Sequence, residues 1–263
     1  MQIFFRTLLA IYLGHLLTDF LFQTLSLFEQ KRRGKLRAYL LYGLTHYLAA
    51  IGLTGFFVRG SALSPRTHFV LLTLTLFHSL IDFLRTRPAQ RQVVPDAAIS
   101  YVVEQILHFL AIVFGAWLLS PGVAFRDLAT LLGGIRDLPA RFLAVPVVYA
   151  AVLFGGGYLI RYLTRTLAEG INTHSPEKSS ERLQNAGLYI GWLERFLVMT
   201  ALLLQSPATI GLILTAKSIA RYPEFKSEHF AEYFLIGTLL SISVAIAGGI
   251  VLAKALFGAV RFP

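Results

Sequence analysis

The chain has 263 residues, 56% of them hydrophobic and only 14% charged, with a mean hydropathy of +0.64. Soluble domains carry about 25% charged residues, so this balance, with repeated apolar runs near the ~20 residues that cross a bilayer, excludes an ordinary soluble domain and predicts an all-α polytopic membrane protein. The absence of cysteine excludes disulfides, thiolate ligands and a cysteine nucleophile, and the net charge of +10 sits in short loops between apolar runs, a pattern that orients membrane spans rather than one that grips nucleic acid.

Apolar spans are predicted at about residues 3–28, 38–58, 68–86, 98–119, 142–163, 187–205, 208–222 and 230–257. The seventh is short and follows Ser206-Pro207, where a helix breaks or restarts, so the count is seven or eight. The first run carries Arg6 and begins like a signal sequence. It continues through His15 and Asp19 to Phe28 with no small-residue cleavage site, and is expected to remain as the first span. Lys31, Arg32, Arg33, Lys35 and Arg37 follow span one, Arg85, Arg87 and Arg91 follow span three, and Arg161, Arg165, Lys178 and Arg182 follow span five. The opposite loops carry fewer: Arg59 and Arg66, then Arg126, Arg136 and Arg141 partly offset by Asp127 and Asp137. Positive charge stays inside. The N-terminus is therefore expected on the outer side of the membrane.

Residues 164–186 form the one long polar connection and divide the chain into a bundle over 1–163, a cytoplasmic linker, and a C-terminal unit over 187–263. Residues 121–141, with Arg126-Asp127 and Arg136-Asp137, are expected to lie as an amphipathic stretch on the outer surface.

The first four spans repeat. Leu13-Gly14-His15-Leu16-Leu17-Thr18-Asp19-Phe20-Leu21 returns as Leu76-Phe77-His78-Ser79-Leu80-Ile81-Asp82-Phe83-Leu84, and each copy is followed by a span carrying a further histidine, His46 or His108. The interval from Asp to that histidine is 27 residues in the first copy and 26 in the second. Two helical hairpins, at about 3–58 and 68–119, are thus expected to form a pseudo-twofold bundle about an axis along the membrane normal. His15 with Asp19, His78 with Asp82, and Glu104 with His108 are i,i+4 pairs, each on one helix face. Gln23 extends the first face, whereas Gln105 lies off the Glu104/His108 face. Tyr42 stands where the repeat has Glu104. Counted at about 1.5 Å per residue from the basic-loop ends, all these groups fall within roughly 5–20 Å of depth.

Ionisable residues inside spans mark function by default. Imidazole nitrogen and carboxylate oxygen suit Zn, Mn or Fe, with carboxylates serving as ligands or as partners that orient histidines. The set His15, Asp19, His46, His78, Asp82, Glu104 and His108 fits one or two divalent ions, zinc foremost. Glu104, Asp19 and Asp82 are the catalytic candidates, and Glu104 is a ligand or general base. The same residues would also serve a divalent-cation or proton-coupled transporter. Hydrogen-bonded packing in a structural or partner-binding subunit is a third reading.

In the second half, Glu194, Arg195, Lys217, Arg221 and Glu232 form a further polar set. Glu194 is expected to pair with Lys217 and Arg195 with Glu232, since charges in lipid pair. Lys217 and Arg221 with Ser218 also suit an anionic head group. Gly237, Gly248 and Gly249 are expected to allow close helix packing.

The stretches His15-Leu-Leu-Thr-Asp19-Phe-Leu-Phe-Gln23, Thr45-His46, His78-Ser-Leu-Ile-Asp82, Glu104-Gln105-Ile-Leu-His108, Ala216-Lys217-Ser218-Ile219-Ala220-Arg221 and Glu232-Tyr233-Phe234-Leu235-Ile236-Gly237-Thr238 resemble a bacterial family of integral membrane proteins catalogued as a domain of unknown function. Where the family pattern has Asp-Gln before the last histidine, this chain has Glu104-Gln105. A looser similarity links it to membrane-bound metal-dependent hydrolases with His and Asp inside their spans. The resulting expectation is metal-dependent hydrolysis of a hydrophobic or lipid-linked ester or phosphoester. The expected partners are the lipid bilayer and an anionic or lipid-linked substrate, not nucleic acid, and self-association is compatible with the sequence.

Overall fold

The computed structural model describes residues 2–22, 30–31, 33–58, 64–90, 97–123, 138–164, 181–226 and 228–258. Among them every regular element is helical: α1 (Gln2–Phe20), α2 (Leu36–Phe57), α3 (Pro65–Gln90), α4 (Ala97–Leu118), α5 (Leu138–Ala150 continued by a π turn at Ala151–Gly155 into Gly156–Leu163), α6 (Glu181–Leu203), α7 (Ala208–Ala220) and α8 (Glu228–Phe257). The expected amphipathic stretch at 121–141 and the 164–186 linker fall largely outside the described residues, as does Gln23.

Among the described residues, six helices are long and apolar enough to cross a membrane: α1 to α5 and α8. Their outward faces carry large apolar side chains with little cover, such as Phe56 at 78% exposure and Phe69 at 72%. A surface of this kind suits lipid rather than water. Hydroxyls are hidden by their own helices: Thr7, Thr18, Thr73, Ser120, Thr164, Thr200 and Thr215 each donate to the carbonyl four residues earlier. This satisfies the polar group where lipid offers no partner. At 13 residues α7 is about 20 Å long, short of the ~30 Å hydrocarbon core. It is cut from α6 by a Schellman turn in which Gln205 takes a positive φ of 55° and Ser206 N–H donates to Ala201 O, followed by Pro207.

The chain divides into two compact units, Met1–Val147 and Val148–Pro263. The boundary falls within α5. The π turn and the Gly156–Leu163 segment pack on α6 and α8, which draws them into the second unit.

In the first unit α1 packs on α2 and α4, and α3 packs on α2 and α4, closing a square of four helices. The two helices of the repeated motif, α1 and α3, are therefore diagonal, as are α2 and α4. At one end Phe4, Leu8, Ile11, Ala50, Leu71, Ile112 and Ala116 form a buried apolar core. Gly14, next to His15, sets the spacing at the site, since a Cβ there would stand 3.3 Å from backbone atoms of Ala49 and Ala50. Only a residue without a side chain lets α1 and α2 approach this closely. Gly14→Val is expected to force the helices apart, costing about 1–3 kcal/mol. A lowered unfolding temperature in detergent checks it, and an unchanged one contradicts this packing.

Candidate metal centre

The diagonal arrangement carries the repeated histidines to the middle of the square. His15 faces His78 with ring centroids 5.1 Å apart, His46 stacks on His78 at 4.0 Å, and His108 lies 4.1 Å from His78 and 5.0 Å from His15. All four are buried. Asp19, one turn beyond His15, draws three of them together: His46 Nε2 is 2.8 Å and His78 Nε2 3.4 Å from its Oδ1, and His15 Nε2 is 3.6 Å from Oδ2. The Tyr42 hydroxyl donates to the same Oδ1 at 2.6 Å.

Two overlapping ligand groups result, His15–Asp19–His46–His78 and His78–Asp82–His108, each with its donor atoms within 4.8 Å of one another. Nε2 of His15 and His78, Nδ1 of His46 and both ring nitrogens of His108 are buried and make no hydrogen bond. Each imidazole offers a donor and an acceptor, and an unsatisfied buried polar atom costs about 1–3 kcal/mol. Several at one point, beside carboxylates, form a donor set suited to a borderline divalent cation.

The remaining acids are engaged by cations. Lys31, only 4% exposed, places Nζ 2.5 Å from Asp82 Oδ2 and 3.5 Å above the centroid of the Tyr42 ring. Arg85 pairs with buried Glu104. Glu104 also lies within hydrogen-bonding reach of Asp82, and Gln105 within reach of His15, although helical spacing placed Gln105 off its neighbours' face. Sequence reading treated Lys31 and Arg85 as orientation signals and Tyr42 as a lapse in the repeat. Arg85 was detectable, three residues after Asp82 on the same helix. Lys31 was not, because its approach to Asp82 depends on how the segment before α2 folds back.

On the far side of the histidines, toward the apolar core, lies a cavity of about 40 Å³ bounded by the four imidazoles, Thr75 and apolar residues including Ala50, Leu71 and Leu74. It has room for water, which needs roughly 10–15 Å³, but not for a lipid chain. The ion-paired end carries Asp19, Asp82, Lys31 and the part-exposed Arg85.

The second unit holds its own polar cluster. Lys217 donates to Glu194 at 2.6 Å, the expected pairing. The expected pairing of Arg195 with Glu232 is not formed. Arg195 donates instead to the Leu153 carbonyl at 2.7 Å and to Ser241 Oγ at 3.4 Å, and Glu232 is exposed. The reason is local: the π turn at Ala151–Gly155, five residues after Pro146, offers the Leu153 carbonyl to a side chain from outside its own helix. Gly157 and Gly191 leave room for the guanidinium, since a Cβ on them would stand 2.7 and 3.3 Å from its nitrogens. Arg221 is half-buried. Gly248 and Gly249 meet Val152 and Leu202 closely, as expected of small residues in packing, whereas Gly237 has open space around it.

Comparison with known proteins adds a match to a family model. Residues 7–126 match the model of a family described as "Protein of unknown function (DUF3307)". That stretch holds α2, α3, α4, all but the first turn of α1, and every residue of both ligand groups. No curated protein and no solved structure matches the chain.

Proposed function

We propose that the first unit is a metal-dependent hydrolase of the bacterial inner membrane, acting on a hydrophobic or lipid-linked phosphoester. The observation that carries this reading is the convergence of three buried imidazoles on Asp19, with that of His108 packed beside them, and the ring nitrogens in this cluster that have no hydrogen-bond partner. A histidine cluster kept for packing would pair those atoms within the chain. A divalent ion, zinc or else manganese or iron, would be held by His15, Asp19, His46 and His78. Such an ion lowers the pKa of bound water and polarises a phosphoryl oxygen. With no cysteine in the chain, water activated in this way is the simplest nucleophile.

The alternative is transport of a divalent cation or protons through the same residues. Against it stands the apolar core of Phe4, Leu8, Ile11, Leu71 and Ile112, which fills the other half of the bundle and offers an ion no ligands among the described residues. The location of Lys31 and Arg85 at the ion-paired end favours a phosphate-bearing substrate arriving from the face with the basic loops.

The test is metal content by mass spectrometry on detergent-purified protein. About one ion per chain in the wild type is expected, lost in both His15→Ala and His78→Ala, with phosphoester cleavage in lipid vesicles falling at least ~100-fold alongside. A folded wild type that takes up no metal contradicts the proposal, and metal uptake with cation flux but no cleavage favours transport. Orientation has its own test, since the chain has no native cysteine. A single cysteine at Gly34 is expected to react with an impermeant maleimide only after the inner face is opened, and labelling of intact cells reverses the topology.

A further inference from the structure

The two ligand groups come from two copies of one motif, yet they are not equivalent. Asp19 receives the Tyr42 hydroxyl and faces three imidazoles, whereas Asp82 receives the ammonium of Lys31. His78 belongs to both groups, but its Nε2 lies 3.4 Å from Asp19 Oδ1 and so points into the first.

We propose that Lys31 is a built-in cation that closes the second ligand group. The centre then takes a single divalent ion on His15, Asp19, His46 and His78, and withdrawing Lys31 opens a second cation position at Asp82 and His108. The inference rests on the metal reading above and fixes the number and place of the ions.

Three observations carry it. Nζ stands 2.5 Å from Asp82 Oδ2, about where a metal bound to that oxygen would lie, so ammonium and ion exclude each other by volume. They also exclude each other by charge, because two cations a few ångströms apart in a poorly solvated bundle repel strongly. Finally, Lys31 is held there rather than passing through: it is buried, its ammonium lies over the face of Tyr42, and its carbonyl accepts from Tyr39 at 3.2 Å. Tyr42 joins the two halves, its ring under the ammonium and its hydroxyl on Asp19.

The test is zinc stoichiometry after equilibrium dialysis of the full-length protein in detergent. The wild type and Lys31→Arg are expected to hold about one ion per chain, and Lys31→Met about two, the second binding more weakly. One ion in Lys31→Met overturns the inference while leaving the metal site standing, and two ions in the wild type overturn it as well. No ion in the wild type brings down the underlying reading and this inference with it. Should Lys31→Met fail to fold, Asp82→Asn carries the test: it is expected to keep the single ion with its affinity changed less than ~3-fold, and loss of the ion overturns the assignment.

Discussion

The carboxylate of Asp19 is what the first unit is assembled around. A carboxylate with only 11% of its side chain exposed is poorly solvated by water, and the bundle answers with a tyrosine hydroxyl at 2.6 Å and an imidazole at 2.8 Å, both from α2. These contacts fix the register of α1 against α2. Gly14 lets the backbones approach, and the diagonal α3 adds His78 from across the square. The apolar end of the bundle follows from the same register, because residues at helical spacing from His15, namely Ile11, Leu8 and Phe4, are then stacked below it.

The internal repeat supplies a frame with two equivalent corners, and single residues make the corners different. Tyr42 and Glu104 occupy matching positions one turn before the second histidine of each copy, so one corner gains a neutral hydroxyl and the other a second acid. The acid brings Arg85, and Lys31 crosses from the first copy to the second to meet Asp82. A duplicated scaffold thereby acquires one corner where three imidazoles face a carboxylate and one corner where chain cations already sit on carboxylates. Under the proposed function the first binds the ion and the second meets the phosphate side of the substrate.

Much of this was legible in the sequence because the signals are periodic. The helices lie within a few residues of their predicted spans, except that α1 ends at Phe20 rather than Phe28 and α6 begins at Glu181 rather than near residue 187; the i,i+4 pairing of His with Asp or Glu put six site residues on three helix faces, and the repeat added His46. What escaped had no period. Lys31 depends on the path of a connecting segment, and Gln105 reaches His15 although helical spacing set it off the face of its neighbours. The partner of Arg195 was misjudged for a related reason. Counting charges favoured Glu232, but a π turn exposed a backbone carbonyl, and no charge pattern announces a π turn.

The central claim is that histidines from three different helices, with Asp19, bind one metal ion. X-ray absorption at the zinc edge of the loaded, detergent-solubilised protein tests it most directly. The account predicts a four-coordinate shell of nitrogen and oxygen at about 2.0–2.1 Å, with outer-shell scattering from three imidazoles that weakens in His46→Ala. A zinc spectrum without imidazole scattering, or one unchanged by that substitution, would contradict it.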